Sequence, residues 1–266
     1  MRIYKKLPGL KDVFDGLHRY PLVLMLGWQD VRERYQRSVL GPFWLTISMG
    51  VMIVSIGFVF GHLFNSPMEE FLPFLTIGLI LWTYMSTSVT DGCLSFMSAE
   101  QMIKQLPMPL FIHVLRVIWR NTLILFHNFL IFPIVLLVFD RTLGIIALEA
   151  IGGLILLVMN LAWISLLLGI LCARYRDLPQ MVSSLLQVAF YLTPIIWMPS
   201  LLPDRAGIYL LDLNPIYHLL AIVREPLLGY SPTTLNWLVS LFMVIIGWAS
   251  TLLFYGRYKR RIAYWL

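Results

Sequence analysis

Three arginines are closely spaced in the first part of the chain: Arg32, Arg34 and Arg37 lie within six residues. A guanidinium group can bind a phosphate through two parallel hydrogen bonds. The cluster therefore predicts a site for the phosphate or pyrophosphate of a lipid headgroup. Contact with ordinary anionic headgroups, or with another protein, would use the same three residues and remains an alternative.

Other residue types give little sign of chemistry on this chain. The phosphate-binding pattern G-x-x-x-x-G-K-[S/T] is absent from the sequence. The two cysteines fall in apolar segments and lack the spacing of metal ligands. The longest loop predicted on the outer side contains Asp204, Asp212, His218 and Glu225 without a recognisable motif. We therefore expect no cofactor or metal on this chain, and a membrane-embedded glycosyltransferase or a secondary carrier is a less favoured hypothesis.

Composition places these residues in a membrane protein. The chain has 266 residues, of which 59% are hydrophobic and 13% charged, whereas soluble domains have about 45–50% and about 25%. A membrane-crossing helix needs about 20 mostly apolar residues. The sequence predicts an all-α integral membrane fold, with a cytoplasmic segment over 1–42 and a transmembrane domain over 43–266. The predicted spans are 43–64, 71–97, 117–139, 143–172, 178–197 and 235–255.

The basic residues predict the orientation. Seventeen of the twenty lysines and arginines lie before the first span, after the last, or near the loops on that side. The other three are Arg141, Arg205 and Arg224. Because Lys and Arg concentrate in cytoplasmic loops, both termini are predicted to be cytoplasmic. The net charge of +6 is explained by this asymmetry and by contact with membrane lipids, so no nucleic-acid partner is expected.

Two regions outside the spans show helical patterns. Leu10, Val13, Phe14 and Leu17 recur at helical spacing, with charged residues such as Asp12 elsewhere around the turn. Pro21 suits the first position of a new helix. Together with the apolar stretch 22–28 and the highly charged stretch 29–37, this pattern predicts an amphipathic helix lying in the membrane interface.

In the Pro-rich region 198–234, Asn214 and Pro215 form a helix-start signal and Gly229 a stop signal, while Arg224 and Glu225 interrupt the apolar run. We predict a re-entrant pair of short helices on the outer side; an ordinary extracellular loop is the alternative.

The entry to the first span carries the most informative motif. It resembles the pattern R-Y-x-x-S-x-L-G-x-x-W of ABC-2 type polysaccharide export permeases, and the resemblance extends over nearly the whole chain. The matching residues are Arg34, Tyr35, Ser38, Leu40, Gly41 and Trp44.

This resemblance implies a homodimer of transmembrane subunits with two separate ATP-binding subunits, which would hold ATP and Mg²⁺. Such exporters move lipid-linked O-antigen, capsule or teichoic acid polymers across the cytoplasmic (inner) membrane, and O-antigen is the cargo that we predict. A smaller lipid or a drug is the alternative cargo. The implied entry gate for the lipid headgroup comprises Arg32, Arg34, Tyr35, Arg37, Ser38, Leu40 and Gly41.

A cytoplasmic segment after the second span is the predicted contact with the ATP-binding subunit. Glu100 and Lys104 are spaced to form an ion pair, and Met102 and Ile103 offer apolar side chains for docking into a groove. A solvated loop helix is the alternative. The following residues, 104–109, match the corresponding segment of the family only loosely.

The cargo path needs walls, and sugars stack their apolar faces on aromatic rings. Aromatic residues also anchor spans at membrane interfaces, whatever the function. The aromatic residues predicted to line the path are Trp44, Phe58, Trp82, Tyr84, Phe190, Tyr191 and Trp197. The predicted outer gate comprises Pro194, Asn214, Pro215 and Arg224.

Overall fold

The computed structural model describes residues 8–35, 43–201 and 208–266, and all regular structure in these ranges is helical. Short 3-10 turns lie at Ile145–Leu148 and Pro199–Leu201, and a π-helical turn lies at Ile208–Asp212. The α-helices are α1 (Pro8–His18), α2 (Tyr20–Tyr35), α3 (Phe43–Leu63), α4 (Met68–Leu94), α5 (Glu100–Gln105), α6 (Phe111–Phe129), α7 (Ile131–Val138), α8 (Glu149–Arg174), α9 (Leu178–Leu192), α10 (Pro215–Leu227) and α11 (Thr234–Trp265).

Five helical segments of the described residues are long and apolar enough to cross a membrane. They are Phe43–Leu63, Met68–Leu94, Phe111–Val138, Ile145–Arg174 and Thr234–Trp265. The prediction of an all-α multi-pass membrane protein is thereby confirmed. The predicted span 178–197 corresponds to α9, whose 15 residues are fewer than the about 20 that cross a bilayer, so the count of six spans stays a prediction.

Helix α4 forms the centre of the bundle. It packs against α3, α6, α7, α8, α9 and α10, and 78% of its most apolar stretch is buried. By contrast, only 17% of the corresponding stretch of α3 is buried. Helix α4 therefore contributes to the core on every side, whereas α3 presents most of its apolar surface to its surroundings.

The two ends of the bundle can be defined by contacts between distant parts of the chain. At the proximal end, Asp12 of α1 accepts a hydrogen bond from the backbone N–H of Phe111 at 3.0 Å and pairs with Lys259 at 2.5 Å. At the distal end, Ser231 lies 3.4 Å from Glu149. Both described chain ends therefore lie near the proximal end.

The packing of α1 differs from the simple amphipathic pattern predicted for it. Asp12 was placed on the polar side, but it is buried and also accepts a hydrogen bond from the Tyr255 hydroxyl at 2.5 Å. Phe14 and Leu17 are instead among the exposed apolar residues. A Cβ on Gly9 would come within 2.9 Å of the Gly256 nitrogen, so Gly9 allows α1 to lie directly on α11.

The predicted limits of the distal helix are confirmed. The Asn214 side chain accepts hydrogen bonds from the N–H groups of Ile216 (3.0 Å) and Tyr217 (3.3 Å), which is an N-cap for α10. Gly229 follows the helix with φ of +90°, a conformation that favours glycine. In the described part of 198–234, α10 is the only α-helix, so the re-entrant pair stays a prediction.

Candidate functional site

A groove of about 400 Å³ lies between α3, α4 and α9. One wall is a row of hydroxyl side chains on α4, and the opposite wall includes Ser183 and Gln187 of α9. The hydroxyl residues are three or four positions apart, so they share one face of the helix. They are Thr83, Ser86, Thr87 and Thr90.

Two hydroxyl groups in this row donate their hydrogens to backbone carbonyls of the same helix. The Thr87 hydroxyl donates to the Thr83 carbonyl at 2.6 Å, and the Thr90 hydroxyl donates to the Ser86 carbonyl at 2.9 Å. Since each hydroxyl has one donor and two acceptor positions, these groups can still accept hydrogen bonds. The row is therefore suited to a ligand rich in O–H donors.

Two of the predicted aromatic residues meet at this groove. The rings of Trp82 and Phe190 both line it, with their centroids 5.6 Å apart. The ring centroids of Tyr191 and Phe190 lie 5.3 Å apart. The backbone carbonyl of Tyr191 accepts a hydrogen bond from the Trp197 indole N–H at 3.1 Å. Aromatic surface therefore continues from the groove toward the distal end of α9.

The remaining predicted aromatics lie elsewhere. Trp44 and Phe58 are exposed on α3. Tyr84 faces away from the groove, because its buried hydroxyl bonds to Thr122 of α6 at 3.0 Å. Tyr84 thus packs between two helices of the core and does not line the groove.

The four residues predicted for the outer gate are brought together at the distal end. The guanidinium of Arg224 donates to the Pro194 carbonyl at 2.5 Å and lies 4.1 Å from the centre of the Phe74 ring. Asn214, immediately before Pro215, donates to the Thr193 hydroxyl at 3.0 Å. These contacts connect α10 to the segment that follows α9.

A buried histidine completes this distal arrangement, and sequence reasoning missed its role. His218 of α10 lies 2.7 Å from the Asn236 side-chain oxygen at the start of α11 and 2.8 Å from the Asp212 carbonyl. The helix α10 is thereby tied to the elements on both sides of it in the chain. A polar residue on the otherwise apolar face of α10 was the available signal.

The predicted headgroup cluster is described only in part. Arg32 is exposed on α2. The backbone at Arg34 and Tyr35 is helical, but their side chains lie outside the described residues, as do Arg37, Ser38, Leu40 and Gly41 entirely. The entry gate stays a prediction.

On the side of α2 that faces the bundle, Asp30 belongs to a network of charged residues that connects α2, α4 and α6. Arg116 makes two hydrogen bonds to Asp30, one of them 2.6 Å long. Arg120 lies 3.5 Å from Asp30 and donates to Asp91 at 2.7 Å. Asn121 also donates to Asp91, at 3.1 Å. Opposite charges therefore compensate one another near the proximal end of the bundle.

The predicted coupling segment forms the short helix α5. Lys104 donates to Glu100 at 2.6 Å, and this hydrogen bond holds the pKa of the Glu100 carboxyl below its ordinary value. Met102 is half-buried, and Ile103 packs against a core cluster of its own chain, so the docking role of these two residues stays a prediction. The exposed apolar side chain is that of Leu106, just after the helix, with 52% of its surface accessible.

With this geometry established, comparison with known proteins decides the class. The model of the family described as "ABC-2 type transporter" matches residues 21–228. The chain belongs to the ABC-2 type transporter family. It is therefore a multi-pass membrane protein of a family of transport subunits.

Curated relatives resemble the chain over nearly its full length. Two proteins from Klebsiella pneumoniae named "O-antigen export system permease protein RfbA" are 22% and 23% identical, covering 90% and 91% of this chain and 94% and 95% of their own lengths. A protein of the same name from Myxococcus xanthus is 24% identical, covering 89% of this chain and 92% of its own length.

Proposed function

We propose that this chain is the transmembrane subunit of an ATP-driven exporter that moves a lipid-linked polysaccharide, O-antigen, across the cytoplasmic membrane. The observation that carries the proposal is a hydroxyl-lined groove with a Trp82–Phe190 pair, in a chain whose curated relatives described above are named as O-antigen export permeases. Sugar hydroxyls can donate to the Thr and Ser oxygens, and sugar rings can slide over aromatic faces. Neither contact requires a fixed sequence of sugars.

A second copy of the chain is part of this proposal. The groove is open, and α3 beside it leaves apolar residues such as Val54 and Phe58 more than 60% exposed. Two copies facing each other across α3 and α9 would convert two open grooves into one enclosed path. We therefore propose a homodimer, with Trp44, Phe58, Tyr191 and Trp197 extending the aromatic surface of this path.

Force would enter at the proximal end. We propose that each copy binds one ATP-binding subunit through α5 and Leu106, and that both termini lie in the cytoplasm. The ion network around Asp30 would carry movement of α4 and α6 to α2. The arginine cluster after Asp30 would hold the pyrophosphate of the lipid carrier before translocation.

The distal end would close the path between transport cycles. Arg224 fixes the Pro194 carbonyl, and Asn214 fixes Thr193, so the chain after α9 and the helix α10 are held as one unit. We propose that this unit moves as the outer gate.

Two neighbouring serines of α9 test the groove as the cargo path. The Ser183 and Ser184 hydroxyls each bond to the carbonyl four residues earlier, at 3.0 and 3.1 Å, but only Ser183 lines the groove. Ser183→Trp should obstruct the path and reduce surface O-antigen at least tenfold in cells that lack the native gene. Ser184→Trp is the control and should leave export near the wild-type level.

Membrane abundance of both variants is measured alongside surface polysaccharide. Equal export by the two variants at equal abundance would contradict the assignment of the groove as the path.

A further inference from the structure

A second cavity, which we call the distal pocket, lies at the end of the bundle opposite the termini. Its volume is about 160 Å³, below the roughly 300–1,000 Å³ of pockets for drug-sized ligands. It is bounded by the start of α4, by the loop after α7 and by the end of α10. Its polar and aromatic lining residues are Glu70, Phe74, Arg141, Arg224, Glu225 and Tyr230.

The floor of the distal pocket is an arginine that forms no close ion pair with a described residue. Arg224 is 2% exposed, and no carboxylate of the ranges in the structure lies within 4.0 Å of it. Its Nη1 donates to a carbonyl, but its buried Nε has no hydrogen-bond partner in these ranges. A buried charge is stable only when it is compensated, so this side chain is prepared to receive an anionic group.

The rest of the lining adds a second cation and two carboxylates. Arg141 is half-buried, Glu225 is half-buried and Glu70 is exposed at the mouth. None of the three lies within 4.0 Å of an opposite charge among the described residues, although Glu225 is hydrogen-bonded to Tyr217 and interacts electrostatically with Arg224. The pocket thus presents two cations and two carboxylates, a pattern that complements a ligand carrying an anion and a cation close together.

We infer that the distal pocket binds a phosphoethanolamine group, with its phosphate on Arg224 and Arg141 and its ammonium on Glu70 and Glu225. Guanidinium groups bind phosphate through paired hydrogen bonds, and an ammonium group donates to carboxylates. The apolar spans end at this level of the bundle, where lipid headgroups lie. The source is therefore the headgroup of a membrane phospholipid, and this site is independent of the exported cargo.

Lipid retention by the purified full-length chain tests the inference. The protein is exchanged into detergent with equal amounts of phosphatidylethanolamine, phosphatidylcholine and phosphatidylglycerol, and bound lipids are counted by native mass spectrometry. Phosphatidylethanolamine should be retained about tenfold over the other two, because choline has no N–H donor and glycerol has no cation. Arg141→Gln and Glu70→Gln should each remove most of this preference.

Both substitutions lie at the mouth of the pocket and leave the Arg224–Pro194 contact intact, so loss of folding is not expected to obscure the result. Glu149→Gln is the matched control, since Glu149 lies at the same end outside the pocket, and it should retain the preference. A parallel measurement adds soluble glycerophosphoethanolamine at the same concentration as the lipids. This ester should displace little of the bound phosphatidylethanolamine.

Three outcomes would overturn the inference. One is equal retention of the three lipids, and another is an unchanged preference in Arg141→Gln and Glu70→Gln. The third is displacement of the lipid by soluble glycerophosphoethanolamine or by a neutral disaccharide, which would make the site one for a free ester or for sugar. None of these outcomes bears on O-antigen export, so this test and that of the proposed function fail separately.

Discussion

At the scale of single residues, the buried and half-buried charges near the proximal end are compensated by partners far away in the chain. Asp30 and Arg116 are 86 positions apart, yet they join α2 to α6. The sequence marks Asp91, Arg116 and Arg120 as ionisable residues near the ends of spans, and such residues are costly unless paired. Their pairing could not be predicted, because it depends on how α2 lies against the bundle, which no local pattern encodes.

The Asp30–Arg116 pair should stabilise the attachment of α2. Arg116→Gln leaves Asp30, whose side chain is 8% exposed, without its main partner, and should cost on the order of 2 kcal/mol, the scale of a hydrogen bond to a charged group. The expected result is a lowering of the melting temperature by about 5 °C in detergent. Asp30→Asn combined with Arg116→Gln should add little to this loss.

The control for the Asp30–Arg116 pair is Arg32→Gln, because Arg32 lies on the exposed side of α2. It removes the same charge and should leave the melting temperature nearly unchanged. Equal destabilisation by Arg32→Gln and Arg116→Gln would show that the pair is not what holds α2.

At the scale of helices, the limits of α9 and α10 show what local sequence can and cannot predict. The predicted span 178–197 is cut short at Leu192, because Pro194 disfavours a helical conformation at the residue before it, and Thr193 is extended with φ of −94° and ψ of 138°. Asn214 and Gly229 were sufficient to predict where α10 begins and ends. The inward turn of Ile103 could not be predicted, because it depends on the core cluster around Phe111.

Close contact between α8 and α10 depends on one glycine. A Cβ on Gly153 would overlap the Ile222 carbonyl, whereas one on its neighbour Gly152 would lie 3.6 Å from the Trp237 ring, an ordinary contact. Gly153→Ala should therefore displace α10 and lower the melting temperature by several degrees, with reduced export. Gly152→Ala should behave like the wild type, and a reversed order of the two variants would contradict this packing.

The coupling role that we propose for the α5 region can be separated from its structural role. Leu106→Asp changes an exposed side chain and should reduce co-purification with the ATP-binding subunit at least tenfold while the protein remains folded. Tyr264→Asp, at the same end of the bundle and 89% exposed, is the control and should co-purify normally. Normal co-purification of Leu106→Asp would place the docking surface elsewhere.

At the scale of the whole molecule, the chain is a bundle built around α4, with one side left open. Composition predicted the helical membrane fold, because apolar helices suit the lipid that surrounds the chain. The charge asymmetry predicted only the orientation of the termini, which stays a prediction. The groove could not be predicted, because it arises from three helices that are distant in sequence. The low burial of α3 and the open groove beside it are what we expect if a second copy completes the path, as we propose.

We propose that a separate ATP-binding subunit drives transport through this chain. Transfer of lipid-linked O-antigen across the membrane of proteoliposomes, which contain the chain alone or together with that subunit, tests this proposal. We expect neither ATP hydrolysis nor transfer with the chain alone, and transfer that requires ATP with both. Transfer at the full rate by the chain alone, without ATP, would contradict the account.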